Sequence, residues 1–269
     1  MSSLCDKQNE ADHRQIDINK VGVKGIRYPL LVLDRDNGSQ STVAELGMYV
    51  DLPRQYRGTH MSRFLEVLNE HGNEFHIDSI SMLLAAIQKR LKARVAHIEV
   101  EFPYFIKKRA PVSRQTGLMN YTIRIEATLD GDKIDIVTLI SAGVTTLCPC
   151  SKAISQHGAH NQRGKVTVSF RADKHIWFEE IIEIIELSAS GSLYSLLKRV
   201  DEKYVTEQAY ENPVFVEDVA RNVAVKLNSR SEISWYRVEA ENMESIHSHN
   251  AYACVEKRLP DFSQQVPQC

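Results

Sequence analysis

Two short stretches of this chain concentrate side chains that can bind a metal ion or move a proton. Thr146 to Gln162, TLCPCSKAISQHGAHNQ, brings Cys148, Cys150, Lys152, His157 and His160 together after a strand-like run. Thiolate and imidazole are ligands that zinc and similar divalent metals prefer, and a loop lets a cysteine and a histidine reach one ion. Cys148 and Cys150 are one residue apart, which does not match a structural zinc finger. Read alone, both cysteines serve equally well as small buried hydrophobes. Glu241 to His249, ENMESIHSH, adds Glu244, His247 and His249 in a polar turn, where ordinary solvated loop residues would look the same. Taken together, the clusters suggest an incomplete ligand shell from each with a position left for water, which is the catalytic metal arrangement.

A third region, Leu197 to Asp218, mixes Glu202, Glu207, Glu211 and Glu217 with aromatic residues ahead of a helical pattern. Most acids near a helix start serve as capping or solvated charges. One of them could instead read a purine edge, because a carboxylate accepts two parallel hydrogen bonds from the N–H and amino group of guanine.

The elements that must position these residues follow from periodicity. Val21 to Asp34 and Val43 to Leu52 are strand-like and flank the turn-rich RDNGSQS, which predicts a hairpin. Met61, Phe64, Leu65 and Leu68 recur at helical spacing, as do Leu83, Leu84, Ile87 and Leu91. Val95 to Phe105 and Tyr121 to Leu129 return to strand character, so the first half reads ββααββ. After the turn signal Asp130-Gly131, strands at Lys133 to Val144 and Val166 to Arg171, helices at Ile176 to Leu187 and Val214 to Leu227, and strands at Ile233 to Glu239 and Ala251 to Lys257 repeat that order. The expected fold is α+β: tandem ββααββ units, antiparallel sheets with helices packed on one face. The expected division is a flexible tail at 1–20, a first unit at 21–131, a second unit at 132–257 carrying most site residues, and a C-terminal tail at 258–269. Antiparallel sheets of this kind leave edges to be covered, and closure by sister subunits is one solution.

Lysine and arginine number 33 against 35 acidic residues, so no global positive field points to nucleic acid. A local cationic cluster could still hold a small anion. The longest apolar-leaning runs, such as Ile134 to Val144, fall far short of the roughly 20 residues that span a bilayer, so no membrane partner is expected. The first 18 residues are polar and fail as a secretory signal, and the five cysteines (Cys5, Cys148, Cys150, Cys254, Cys269) are odd in number. Both features predict a cytoplasmic, reducing setting with free thiols or metal ligands.

Four motifs in order, RGTHMSRF, LCPCSKAIS, QHGAHNQR and DEKYVTEQAYENPVFVEDVAR, resemble the type IB GTP cyclohydrolases, and the likeness runs from about Val21 to Lys257. The resemblance implies the tunnelling fold, a ββααββ unit used in tandem and assembled into a homotetramer. It implies GTP as substrate, hydrolysed to dihydroneopterin triphosphate and formate at the head of pterin and folate synthesis. It further implies that Cys148 and His160 are metal ligands with Glu202 a third. Cys150, Glu244 and His247 match active-site positions nearby, and Glu217 matches the carboxylate that anchors a purine. The triphosphate requires cations, for which His60, Arg63, Lys152, Lys198 and Arg199 lie in or beside the motifs. The expected cofactor is a divalent ion (zinc, manganese or iron), and no nicotinamide cofactor is expected. Two other classes compete: a tunnelling-fold nitrile reductase acting on a deazapurine, which would use a cysteine and a glutamate with a nicotinamide and no metal, and a non-catalytic metal-binding protein with a closed four-ligand shell.

Overall fold

A computed structural model describes Gln8, residues 10–71 and residues 77–258. Cys5, Cys269 and all but Arg258 of the C-terminal tail lie outside the described residues. The first half of the chain forms β1 (Ile18–Asp34), β2 (Gly38–Leu52), α1 (Ser62–Glu70), α2 (Ile77–Leu91), β3 (Val95–Arg109) and β4 (Thr116–Asp130). The second forms β5 (Lys133–Leu147), α3 (Pro149–Ile154), β6 (Asn161–Ala172), α4 (Phe178–Glu186), β7 (Gly191–Ser192), α5 (Arg199–Glu211), α6 (Val216–Asn228), β8 (Ile233–Asn242) and β9 (Ala251–Arg258). The ββααββ order recurs, with α3, β7 and α5 added in the second half. The antiparallel sheet has nine strands in the order β1-β2-β3-β4-β5-β6-β8-β9, with β7 paired to β5, and helices on one face. By packing, the chain divides into one unit of residues 1–103 with Arg124–Val137 and another of Tyr104–Ile123 with everything after Thr138, so the division falls within β3, β4 and β5.

In the first unit the hairpin of β1 and β2 closes through Asp34, whose carboxylate accepts from the amides of Asp36 and Asn37 at 2.9 and 2.8 Å. Gly38 supplies the positive φ of 79° that this turn needs. Helix α1 buries Phe64, Val67 and Leu68, an i, i+3, i+4 stripe, while Met61 and Leu65 point to solvent although their spacing is also helical. Helix α2 buries Ile80, Leu83, Leu84 and Ile87. Each such apolar side chain contributes about 1.5–3 kcal/mol when withdrawn from water. Part of the segment expected as a tail belongs to this unit: Arg57 and Gly58 donate backbone hydrogen bonds to Glu10 and Gln8 (both 3.1 Å), and Arg57 pairs with the Glu10 carboxylate at 2.5 Å. The fold therefore begins earlier than its strand signal.

In the second unit α6 turns Val216, Val219, Ala220, Val223, Ala224 and Leu227 inward, and the strands alternate in register with that core. Helix α4 is tied down by Glu186, which accepts from Lys108 Nζ at 2.6 Å and from Tyr121 Oη at 2.7 Å. Helix α5 is different, because its only buried residues are Asp201 and Ala209. Asp201 accepts from the amides of Val112 (2.9 Å), Ser113 (2.8 Å) and Lys198 (2.8 Å) and from Ser113 Oγ (2.6 Å). Burial alone would raise its carboxyl, but the donors from Ser113, Lys198 and Val112 outweigh that and hold it well below the usual range.

A folded-state value below the unfolded one makes this carboxylate stabilising above about pH 4. That contribution fades as pH falls through the folded value. Asp201→Asn is expected to lower the melting temperature at pH 7, with the gap from the parent narrowing as pH approaches 3. Parallel thermal melts across that range check it, and a gap independent of pH would show that charge is not what holds the α5 terminus. Among the described residues no helix is long and apolar enough to cross a membrane.

Candidate active site

The ends of β5 and β8 meet the start of β6, and these strand termini bring the two ligand-rich stretches together. Leu147 at the end of β5 pairs with Asn161 at the start of β6, and Gly164 of β6 pairs with Asn242 at the end of β8. A Cβ at Gly164 would stand 2.7 Å from Asn242 Oδ1, so glycine is what permits this close approach. Cys148 follows β5 directly and its amide donates to the His160 carbonyl at 3.1 Å. Glu244 follows β8 in the same way, led in by the bond from the Met243 amide to Arg163 O at 2.9 Å.

Cys148 is the N-cap of α3, and its sulfur accepts the Ser151 amide at 3.4 Å. Ser151 Oγ in turn accepts the His160 amide at 3.0 Å, which locks the loop 155–160 across the start of α3. Pro149 fills the first helical position, as its fixed φ favours. Cys150 comes next and is exposed. Lys152 donates to the Tyr210 carbonyl and lies 4.2 Å above the Tyr210 ring, so its ammonium ties α3 to the end of α5. The Val214 amide bonds Leu147 O at 3.1 Å, which sets the start of α6, with Glu217 in its first turn, beside the β5 terminus.

The structure thus ties Cys148 to His160 through the main chain and brings Glu244 beside His160, with Cys150 and Lys152 on the turn that follows Cys148. Glu244 Oε2 lies 3.9 Å from His160 Nδ1, and both side chains are mostly buried, 12% and 14% exposed. His247 and His249 stand farther out in the exposed β8–β9 loop with their rings stacked at 5.1 Å. Glu202, Arg199 and Lys198 sit at the N-terminal end of α5, about 12 to 18 Å of helix from the Tyr210 end that meets Lys152. His60 and Arg63 belong to the other unit, where with Thr59, Tyr56 and Lys92 they line a cavity of about 220 Å³. Among the described residues no three histidine, cysteine or carboxylate side chains are already gathered as a metal-holding group.

The donors nevertheless suit a divalent ion. A soft sulfur, an imidazole and nearby carboxylates form a mixed set that zinc, manganese and iron accept. His160 Nδ1 is engaged by Gln162 Oε1 at 3.0 Å, which leaves Nε2 as the nitrogen available to a ligand. Gln162 escapes a reading of the sequence that starts the strand at Val166. Its signal is a polar residue at an inward position of the longer β6, whose alternation runs through Gln162, Gly164, Val166 and Val168. Asp201 is hidden for a related reason, being one acid among several on a helix with almost no apolar stripe.

Residues 4–253 match the profile of the family described as type I GTP cyclohydrolase folE2. A protein named GTP cyclohydrolase FolE2 from Syntrophus aciditrophicus is 57% identical over 254 residues, covering 94% of this chain and 100% of that protein. One of the same name from Fervidobacterium nodosum is 54% identical over 252 residues, covering 94% of this chain and 97% of its own length. Among solved structures, a highly active mutant of Bacillus sp. TB-90 urate oxidase matches with a TM-score of 0.55 at 8% identity, over 90% of this chain and 100% of that one. At that identity the likeness is one of fold alone, and the fold is the tunnelling fold.

Proposed function

The chain belongs to the type I GTP cyclohydrolase FolE2 family, and from that premise we propose that it hydrolyses GTP to 7,8-dihydroneopterin triphosphate and formate, the entry to folate synthesis, at the Cys148, His160 and Glu244 cluster. The observation that carries this reading is the convergence of those three residues at one strand end in a chain whose relatives are named for that reaction. Those names give no support to reduction of a deazapurine nitrile. A non-catalytic metal protein would need a closed shell of four donors and would leave GTP unchanged.

Cys148, His160 and Glu202 are the proposed metal ligands, for zinc, manganese or iron. When bound, such an ion supplies Lewis acidity that lowers the pKa of water from 15.7 towards roughly 7, which the attack of water on carbon 8 of guanine requires. The chain's own residues do the rest. Glu217 accepts the N–H and amino group of the guanine edge and sets carbon 8 against the site. To Glu244, whose Oε2 lies 3.9 Å from His160 Nδ1, we assign the role of taking a proton from the attacking water. Opening the imidazole ring and releasing formate need a proton returned to the departing nitrogen, a role we assign to His247 or to the exposed thiol of Cys150. Lys198 and Arg199 flank the N-terminus of α5, where the helix dipole already favours an anion, and with Lys152 they are the triphosphate cations we propose in the second unit, His60 and Arg63 being the separate candidates of the first.

We further propose a homotetramer, supported by the outer edges of β1 and β9, which pair with no other strand among the described residues, and a reducing cytoplasmic setting, supported by the free thiols of Cys148, Cys150 and Cys254. Protein reconstituted with Zn²⁺ or Mn²⁺ and incubated with GTP is expected to release formate and a pterin that fluoresces on oxidation, and to sediment as four chains. Metal binding with GTP left intact would sink the enzymatic reading, and an active monomer would sink the tetramer.

A further inference from the structure

Buried polar side chains are costly unless paired, so a polar pair kept at an otherwise apolar strand position calls for a reason. Thr146 is fully buried and Gln162 is 8% exposed, and the two face each other in register across β5 and β6. Further along the same strands the inward pairs are Val144 with Gly164 and Ala142 with Val166, and an apolar pair would continue that pattern without needing any hydrogen bond. Gln162 Nε2 donates to Thr146 Oγ1 at 3.0 Å. The other end of the same amide, Oε1, lies 3.0 Å from His160 Nδ1. Glu244, at 3.9 Å from that nitrogen, is beyond hydrogen-bond reach.

The main chain of His160 is already fixed, because its amide donates to Ser151 Oγ and its carbonyl accepts from Cys148. What remains free is the rotation of the ring and the choice of which nitrogen carries the hydrogen. An amide oxygen can only accept, so in this arrangement Nδ1 carries the hydrogen and Nε2 keeps its lone pair. The reversed amide would press an N–H on Nδ1, move the hydrogen to Nε2 and abolish its capacity to ligate.

We propose that Gln162, braced by Thr146, is a positioning residue that holds His160 as the Nδ1–H tautomer with Nε2 directed to a divalent cation. The proposal rests on His160 being a metal ligand. Outer partners of this kind typically carry about 10–100-fold in metal affinity.

The test compares Gln162→Glu with Gln162→Leu in the full-length protein. A carboxylate can accept from both Nδ1–H and the Thr146 hydroxyl, so Gln162→Glu should keep Zn²⁺ affinity within a few-fold of the parent, measured by competition with a chromophoric chelator. Gln162→Leu should lose about 10–100-fold, with kcat falling at unchanged KM for GTP. Nitrogen-15 imidazole shifts of the metal-free protein should show His160 protonated on Nδ1 in the parent and in Gln162→Glu, and a mixture of tautomers in Gln162→Leu. Zn²⁺ binding clearly tighter in Gln162→Glu than in the parent would mean that the amide donates to Nδ1, and parent-like affinity in Gln162→Leu would mean that the pair only fills space. Either result overturns the proposal. If His160→Ala binds Zn²⁺ like the parent, the ligand reading fails instead, and that failure is recognisable because the tautomer signature in the metal-free protein is independent of it.

Discussion

Cys148→Ala is expected to reduce GTP turnover by on the order of 10³-fold or more, with bound metal lost in parallel and the melting temperature of the metal-free protein little changed. The two magnitudes separate because the sulfur has two duties of unequal weight. As N-cap of α3 it accepts one amide hydrogen at 3.4 Å, a long contact on a helix of six residues. Losing such a cap costs about 0.5–2 kcal/mol at most. In the metal-ligand role proposed for it the sulfur would carry the reaction, and a 10³-fold loss corresponds to about 4 kcal/mol of transition-state stabilisation. Cys148→Ser divides the duties, since a hydroxyl caps a helix at least as well but is a poor substitute for thiolate at a soft metal. The serine variant should therefore melt like the parent and remain nearly inactive, with metal content measured by elemental analysis. If serine restores turnover, the cysteine acts through α3 and the ligand assignment is wrong.

How far the sequence reveals such a site depends on what each element buries. Strands β3, β4 and β5 announce themselves because Ile98, Val100, Ile123, Ile125, Ile140 and Val144 alternate with less buried neighbours. The hairpin of β1 and β2 and the helices α2 and α6 are equally plain, each having a full apolar stripe or a turn of unmistakable chemistry. The strand ends beside the site are not, and for a physical reason: there the inward positions pass from Val144 and Val166 to Thr146, Gln162 and Asn242, whose polar side chains interrupt the apolar alternation. The periodic signal thus fades where function begins. Helix α5 is illegible for a different cause, since one carboxylate and four hydrogen bonds anchor it instead of an apolar face. The nearness of Glu244 to His160 depends on the β6–β8 register, in particular on Gly164 facing Asn242, and local spacing gives no access to it.

Glu217→Gln is expected to weaken GTP binding at least tenfold while leaving metal content and melting temperature nearly unchanged. The competing account is that Glu217 is merely a favourable charge at the N-terminus of α6, in which case its loss costs about 0.3–1 kcal/mol of stability and catalysis barely changes. The local geometry weakens that account. Capping of α6 is carried by the next residue, Asp218, whose carboxylate accepts the Phe215 amide at 3.0 Å. The buried stripe of the helix runs through Val216, Val219 and Ala220, which leaves Glu217 on the outer face and exposed, at a terminus that the Val214 to Leu147 bond holds beside Cys148. A carboxylate so placed is free to take a ligand with two parallel donors. Glutamine keeps the shape but replaces one acceptor with an N–H, which opposes the guanine amino group and leaves a purine donor poorly paired, at a cost of about 1–3 kcal/mol. Discrimination against ATP should relax in the same variant, because adenine lacks the N–H and amino pair that the carboxylate reads. Equilibrium binding of GTP and ATP to parent and variant, with thermal melts alongside, decides between the accounts. Parent-like GTP affinity with a small stability loss would return Glu217 to the role of a helix charge, and a loss of affinity equal for both nucleotides would place its contact elsewhere than the guanine edge.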